Sequence, residues 1–291
     1  MANISVNESL CKKDYLCTHV CPAGFFTSDV KDSIPRVLQF EGPCSECGHC
    51  VAICPTGAIV HEAFQHGSTR PVRPELEPSP EQIEEMLKTR RSTREFTDKP
   101  VQRDVIEKII DCARFAPSAC NCQSTEFTVV QDKALLDEIA KLTSLSLVRT
   151  TRQLRSPMFR TIGRLIAKDD IEQGISALRS FDRLVQRYEV GVEVVIWGAP
   201  LLLIFHGKTN APSSRENAML ALSNASLTAR ALGLGDVCIG LIVMAGNMDK
   251  RIRRLLSIPD GNRVHGALAL GYPRYKYNNW VDRRPARVKW F

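Results

Sequence analysis

The chain has 291 residues, enough for two domains, with 44% hydrophobic and 24% charged residues, as an ordinary folded chain has. Its longest apolar run, Val194 to Phe205, is broken by Gly198 and Pro200 and falls short of the roughly 18 residues that cross a bilayer. The opening MANISVNESL lacks the basic start and apolar stretch of a secretory signal, so a cytoplasmic protein with no membrane attachment is expected. The net charge of +7 lies in short clusters, which favours a phosphate-bearing cofactor over nucleic acid.

Seven of the eleven cysteines fall in the first 54 residues. A front-loaded, odd-numbered set with no export signal points to metal and away from disulfides. Cys44, Cys47, Cys50 and Cys54-Pro55 follow the spacing C-x2-C-x2-C-x3-C-P. Three cysteines so spaced wrap one iron–sulfur cubane, while the fourth ligates the other cluster. A zinc ribbon does not need the third cysteine or the final C-P. The preceding segment, Cys11, Asp14, Cys17 and Cys21-Pro22, has the same frame with Asp14 in the second place. Crossing over, Cys11, Cys17 and Cys54 hold cluster one, with Asp14 as a candidate fourth ligand, and Cys44, Cys47, Cys50 and Cys21 hold cluster two. Carboxylate is a hard ligand for this iron. Cluster one is therefore expected as an Asp-ligated [4Fe–4S] or as a [3Fe–4S] form with Asp14 left as a solvated loop carboxylate; cluster two is an ordinary [4Fe–4S]. This segment resembles bacterial two-cluster ferredoxins over roughly residues 8–63.

Residues 1–66 are read as this iron–sulfur domain. Prolines at 71, 74, 78 and 80 mark residues 67–80 as an extended linker, and residues 81–291 as a second domain. Ser79-Pro80-Glu81-Gln82 predicts a capping box, followed by an apolar helical face at Ile83, Met86 and Leu87. A helix is predicted over 102–116, a strand over 126–131, a helix over 133–142 and a buried strand over 201–206. Residues 143–193 are basic and helical in pattern but have no assigned place. Ser213-Ser214-Arg215-Glu216 predicts a second capping box opening a long helix that ends near Gly233 or Gly235. Strands at 236–240 and 264–270 flank a basic helix at 248–256. The fold class is α+β, a sandwich of helices packed on one sheet.

Four segments carry the chemistry of this second domain. Arg90, Arg91, Ser92 and Arg94 offer guanidinium and hydroxyl donors to an oxyanion. Pro117, Ser118, Ala119, Asn121 and Gln123 combine small residues with amide groups. Gly233 to Gly240 is a glycine-punctuated turn, and the tail carries Lys276, Arg283 and Arg284. Each alone has a bland explanation in a solvated patch or an ordinary turn. Together, in this order and separation, they resemble the nitroreductase family of flavin enzymes over about residues 80–291. The resemblance implies a nitroreductase-like α/β sandwich and an obligate homodimer with FMN at the subunit interface. It implies that Arg90, Arg91, Ser92 and Arg94 grip the FMN phosphate and ribityl chain. Pro117, Ser118, Ala119 and Asn121 would face the flavin from the other subunit, Gln123 would also bind the cofactor, Ile239 and Gly240 would run along its ring, and Lys276 and Arg283 would contact the phosphate. Asn279 stands where a basic residue is expected.

Electrons are expected to come from ferredoxin or another redox protein, pass singly through the clusters to FMN, and leave as hydride to a small electrophile: a nitroaromatic, quinone or activated alkene. The alternatives are an NAD(P)H-driven nitroreductase, and an electron carrier or redox sensor with no fixed substrate. No catalytic acid is assigned. The histidines are expected to be structural or solvated, with His49 a candidate to tune cluster two. Asp14→Cys is expected to turn the first site into an ordinary four-iron cluster; an unchanged electron paramagnetic resonance (EPR) spectrum after reduction would count against the ligand frame.

Overall fold

The computed structural model describes residues 3–28, 30–38, 43–64 and 68–291. The expected domain limit at 66/67, with His66, lies outside them. The chain divides into two compact units: residues 1–78 with 120–122, and residues 79–119 with 123–291.

In the smaller unit, β1 (Ile4–Val6) pairs antiparallel with β4 (Ile59–His61), and β2 (Phe26–Thr27) with β3 (Arg36–Val37). Two short helices, α1 (Leu16–Val20) and α2 (His49–Ile53), follow loops of matching backbone. Lys13 and Tyr15 before α1, and Glu46 and Gly48 before α2, all take left-handed φ angles. Gly24 and Gly57 repeat that match beyond the helices. The sequence repeat is thus also a repeat of chain path, and Asp14 occupies the place that Cys47 holds in the second copy. At Gly48 the φ of +73° disfavours any side chain, and a Cβ would stand 3.1 Å from the Phe64 ring. The interior is small: Cys17, Phe25, Phe26, Cys50 and Ile59 are buried, with Cys21, Cys44 and Cys54 packed against them.

In the larger unit, α3 (Pro80–Thr89) starts with the predicted box: Ser79 Oγ accepts from the Gln82 amide and Gln82 Oε1 from the Ser79 amide. Its apolar side is not covered within the chain, for Ile83 and Leu87 are exposed. Then come α4 (Arg103–Ala113), β5 (Glu126–Val130), α5 (Lys133–Arg155), α6 (Pro157–Glu189), β6 (Leu201–Lys208), α7 (Ser214–Ala231), β7 (Gly235–Cys238), α8 (Gly240–Met248), α9 (Lys250–Leu255) and β8 (Asn262–Gly271). The four strands form one antiparallel sheet in the order β5-β6-β8-β7.

Helices cover both faces of this sheet. Leu201, Leu203 and Phe205 pack with Ile106 and Ile109 of α4 and Ala218, Leu222 and Ala225 of α7. Leu202 and Ile204 face the opposite way, toward Leu136 and Ile139 of α5 and Ile242 and Ile252 of α8 and α9. That double burial explains why β6 reads as an unbroken apolar run although its neighbours are antiparallel. A bulge at Phe205/His206 shifts the register, so Val264 turns to the α5 face while Leu268 and Leu270 face α4 and α7.

The structure corrects several sequence expectations. The segment 143–193 supplies the second half of α5 and all of α6, which is sharply bent at Ala167 (φ −147°). Across the bend Arg164 pairs with Glu172, and Arg155 ties the end of α5 to Asp182. The second capping box is not formed: a cap residue is extended, whereas Ser213 is left-handed and makes no cap bond. The Ser214 hydroxyl pairs instead with His265 Nε2 at 2.9 Å. The predicted strand over 236–240 stops at Cys238, and Ile239 and Gly240 open α8.

His206 is buried in β6, with Nδ1 accepting from Asn262 Nδ2 at 3.0 Å and Nε2 facing Thr128 Oγ1 at 3.2 Å. Burial lowers its pKa. The unfolded chain therefore takes up a proton near pH 6.5 more readily than the fold does. Stability from this group is full above that pH and falls as pH drops toward the lower folded value. Thermal melting should show a loss between pH 7.5 and 5.5, weaker in His206→Gln. Leu203→Ala should destabilise the chain by about 2–5 kcal/mol in denaturant titration.

Candidate functional site

In the smaller unit, Cys21, Cys44, Cys47 and Cys50 line one cavity together with Phe25, Phe26, His49 and His61. These cysteines interact electrostatically, and burial pushes the Cys50 thiol up to about 11 with repulsion from Cys21, Cys44 and Cys47 adding to it. Cys17 is raised by its own burial and, next, by Cys11 and Asp14. Cys21 of the first motif thus shares a cavity with Cys44, Cys47 and Cys50 of the second, while Cys17 interacts with Cys11 and Asp14. Asp14 is exposed, its Oδ1 accepting from the Leu16 amide at 3.2 Å. Backbone amides point at sulfur in equivalent places: Phe25 to Cys21 at 3.3 Å and Ala58 to Cys54 at 3.2 Å, with Glu46 to Cys44 at 3.3 Å besides. Amide donors on sulfur suit metal-bound thiolates. Among the described residues no three His, Cys, Asp or Glu side chains converge closely enough for a single metal ion. A soft, all-thiol set spread around a cavity fits a multi-iron cluster. Asn121 belongs to this unit, its Nδ2 donating to the carbonyls of Ser45 (3.1 Å) and Glu46 (2.9 Å).

In the larger unit, a cleft of about 340 Å³ lies between the end of α3, the start of β7 and the tail, within the size range of small-ligand sites. Arg90, Arg91, Arg230 and Lys276 line it. The segment after α3 is held on both sides: the Thr93 amide donates to the Asp236 carbonyl at 2.8 Å, and the Thr97 amide to the Tyr272 carbonyl at 2.9 Å. Gly235 is required by this approach, since a Cβ there would lie 2.3 Å from Thr93 Oγ1. Asp236 is buried beneath, accepting from Ser226 Oγ at 2.9 Å. Burial raises its pKa, against the pull of Ser226 and of the Arg90 and Arg230 charges. Clustered guanidinium and ammonium groups fit a phosphate-bearing ligand.

The remaining expected residues are placed elsewhere. Arg94 is exposed, its guanidinium 5.5 Å from the Trp197 ring centroid, with Arg187 also over that ring at 5.3 Å. Ser92 bridges to Asp236 and is not among the cleft residues. Ser118 Oγ accepts from the Gln123 amide at 3.0 Å, and the Ala119 amide donates to Asn217 Oδ1 at 3.0 Å. Cys120, Asn121 and Gln123 all have left-handed φ, a strained run for residues other than glycine. Ile239 is buried with its amide donated to the Ala267 carbonyl at 2.9 Å, while a Cβ on Gly240 would meet open space. Pro117 and Arg283 are exposed, and neither they nor Ser118 to Gln123 line the cleft of a single chain. Sequence reasoning missed Arg230 and Asp236. Arg230 sits on the last turn of α7, where a basic residue has an ordinary reason to be.

A model described as the nitroreductase family matches residues 87–272, and one described as a 4Fe-4S dicluster domain matches residues 9–59. A relative from Archaeoglobus fulgidus, provisionally named NADH dehydrogenase/NAD(P)H nitroreductase, is 27% identical over 67% of this chain and 87% of its own length. One from Bacillus subtilis, named FMN reductase [NAD(P)H], is 28% identical over 64% of each chain. The crystal structure of a nitroreductase with bound FMN from Desulfitobacterium hafniense matches the fold with a TM-score of 0.53 and 18% identity, over 70% of this chain and 97% of that one. The family model spans well over half the sequence: the chain belongs to the nitroreductase family, with a 4Fe-4S dicluster domain ahead of it.

Proposed function

We propose that the chain is an iron–sulfur flavoprotein that carries electrons from a ferredoxin-type donor to FMN and on to a small electrophile. The observation that carries this reading is the cleft that gathers Arg90, Arg91, Arg230 and Lys276, in a chain whose other unit gathers four thiols around one cavity. The guanidinium groups of Arg90 and Arg91 bind the phosphate, and Lys276 closes it from the tail. Asp236 faces the charges of Arg90 and Arg230 from below. When bound, FMN supplies the exchange between one-electron and two-electron transfer. Cys21, Cys44, Cys47 and Cys50 hold one [4Fe–4S] cluster; Cys11, Cys17 and Cys54, with or without Asp14, hold the other.

The working form is a homodimer, because Pro117 to Gln123 and Arg283 need a second chain to reach a flavin. Residues 67–80 are the spacer between domains. The substrate is a nitroaromatic, quinone or activated alkene, and α6 covers the side on which it is chosen. We assign no nucleic-acid or membrane partner and a cytoplasmic location; among the described residues no helix is long and apolar enough to cross a membrane. A second reading, with NAD(P)H as donor, is favoured by the names of the two relatives.

Anaerobic mixing separates the two donors. Reduced ferredoxin should bleach the flavin within seconds and NADPH or NADH far more slowly; fast bleaching by NADPH in a variant lacking both clusters would defeat the ferredoxin scheme. Arg90→Gln and Arg91→Gln should each weaken FMN binding about tenfold or more, since each removes a charge-assisted hydrogen bond. Fluorescence titration of flavin-free protein measures it, and unchanged affinity in both would remove FMN phosphate from this cleft.

A further inference from the structure

His61 has a job in the smaller unit that the motif spacing does not reveal. It is the last residue of β4 and is buried, its ring 5.0 Å from that of Phe64 in an edge-on contact. The Ala63 amide donates to its Nδ1 at 3.2 Å. That nitrogen is therefore an acceptor, and the ring hydrogen sits on Nε2. Nε2 in turn lies 3.6 Å from the sulfur of Cys44. One backbone bond thus fixes the tautomer and aims a side-chain N–H at a thiol of the four-cysteine cavity. Cys44 already takes the Glu46 amide at 3.3 Å, so this sulfur has two donors. His49 lines the same cavity, but no hydrogen bond joins it to sulfur among the described residues.

The repeat makes the feature asymmetric. Following the matched loops forward, Phe26 corresponds to Ile59 and Ser28 to His61. The Ser28 hydroxyl is turned to the Val30 carbonyl at 3.1 Å and lies 3.5 Å from Ser33 Oγ, so among the described residues it makes no such bond to sulfur.

Resting on the iron–sulfur reading above, we infer that His61 sets the reduction potential of the cluster held by Cys21, Cys44, Cys47 and Cys50, by donating Nε2–H to the Cys44 sulfur. One-electron reduction makes and breaks no bond here. The electron comes from an external one-electron reductant, and part of the added negative charge falls on the cluster's sulfur ligands. A donor aimed at such a sulfur binds the reduced form more strongly and raises the potential. His61 is a positioning residue: it acts through Cys44.

The test is an anaerobic redox titration of the full chain, with the two clusters followed separately by EPR. His61→Phe keeps a ring against Phe64 and removes the donor. The reduction equilibrium of the His61-side cluster should shift about tenfold toward the oxidised form, or about 59 mV downward, while the Asp14-side cluster stays put. An unchanged midpoint with both clusters assembled overturns the proposal, as does an equal shift in both. If His61→Phe does not assemble, pulsed EPR of reduced wild-type protein with ¹⁵N-labelled histidine decides. A nitrogen coupling that persists in His49→Gln is expected, and its absence overturns the proposal. Wild-type protein isolated without air that lacks iron and sulfide would instead sink the iron–sulfur reading, a result distinct from either.

Discussion

Thiols crowded in a nearly apolar interior repel one another as soon as they ionise, and desolvation keeps them protonated. That is the condition of Cys17 and Cys50, both raised by burial and by neighbouring cysteines. Among the described residues the smaller unit is held otherwise by a handful of apolar side chains and two pairs of very short strands. A domain this small seldom stands on hydrophobic burial alone. Iron bound to these sulfurs would resolve both difficulties, taking the proton's place on each and tying distant loops together. Folding and metal loading would then be coupled.

The larger unit solves its packing problem in the ordinary way. One strand, β6, is buried on both faces, and the helices arrange themselves around it. The cleft follows from this arrangement. The segment after α3 can reach Arg90 and Arg91 into it because Gly235 leaves room for Thr93, and because Tyr272 and Asp236 offer backbone partners on either side. The buried carboxylate of Asp236 is tolerable because Ser226 and two guanidinium groups face it.

How much of this was legible depended on whether the signal was local. Cysteine spacing predicts crossed groups because a cluster-binding loop imposes its own geometry, and Cys21 does stand beside Cys44, Cys47 and Cys50 around one cavity. Ser79 and Gln82 cap their helix for the same local reason. Ser213 had the same letters and failed, because the turn leaving β6 sets its backbone and His265 claims the next hydroxyl. Residues 143–193 were unreadable in place because two long helices with polar surfaces say nothing of what they lie against. A motif does not give the direction of its side chains: Arg94 lies over the Trp197 ring and Ser92 bridges to Asp236, while Arg90 and Arg91 line the cleft. Arg230 and His61 were silent, since each matters only through a partner far away in sequence, Thr89 and Cys44.

The α5–α6 excursion leaves the sheet at Val130 and returns at Leu201, and those two ends belong to adjacent strands, with Val130 opposite Leu202. The pairing of β5 with β6 thus needs no short connection, since closing a long excursion adds only about 0.6 kcal/mol for each doubling of its length. What the excursion must keep is α5, whose Leu136 and Ile139 cover one face of β6; length can be added or removed farther out, around the bend at Ala167, without uncovering the sheet.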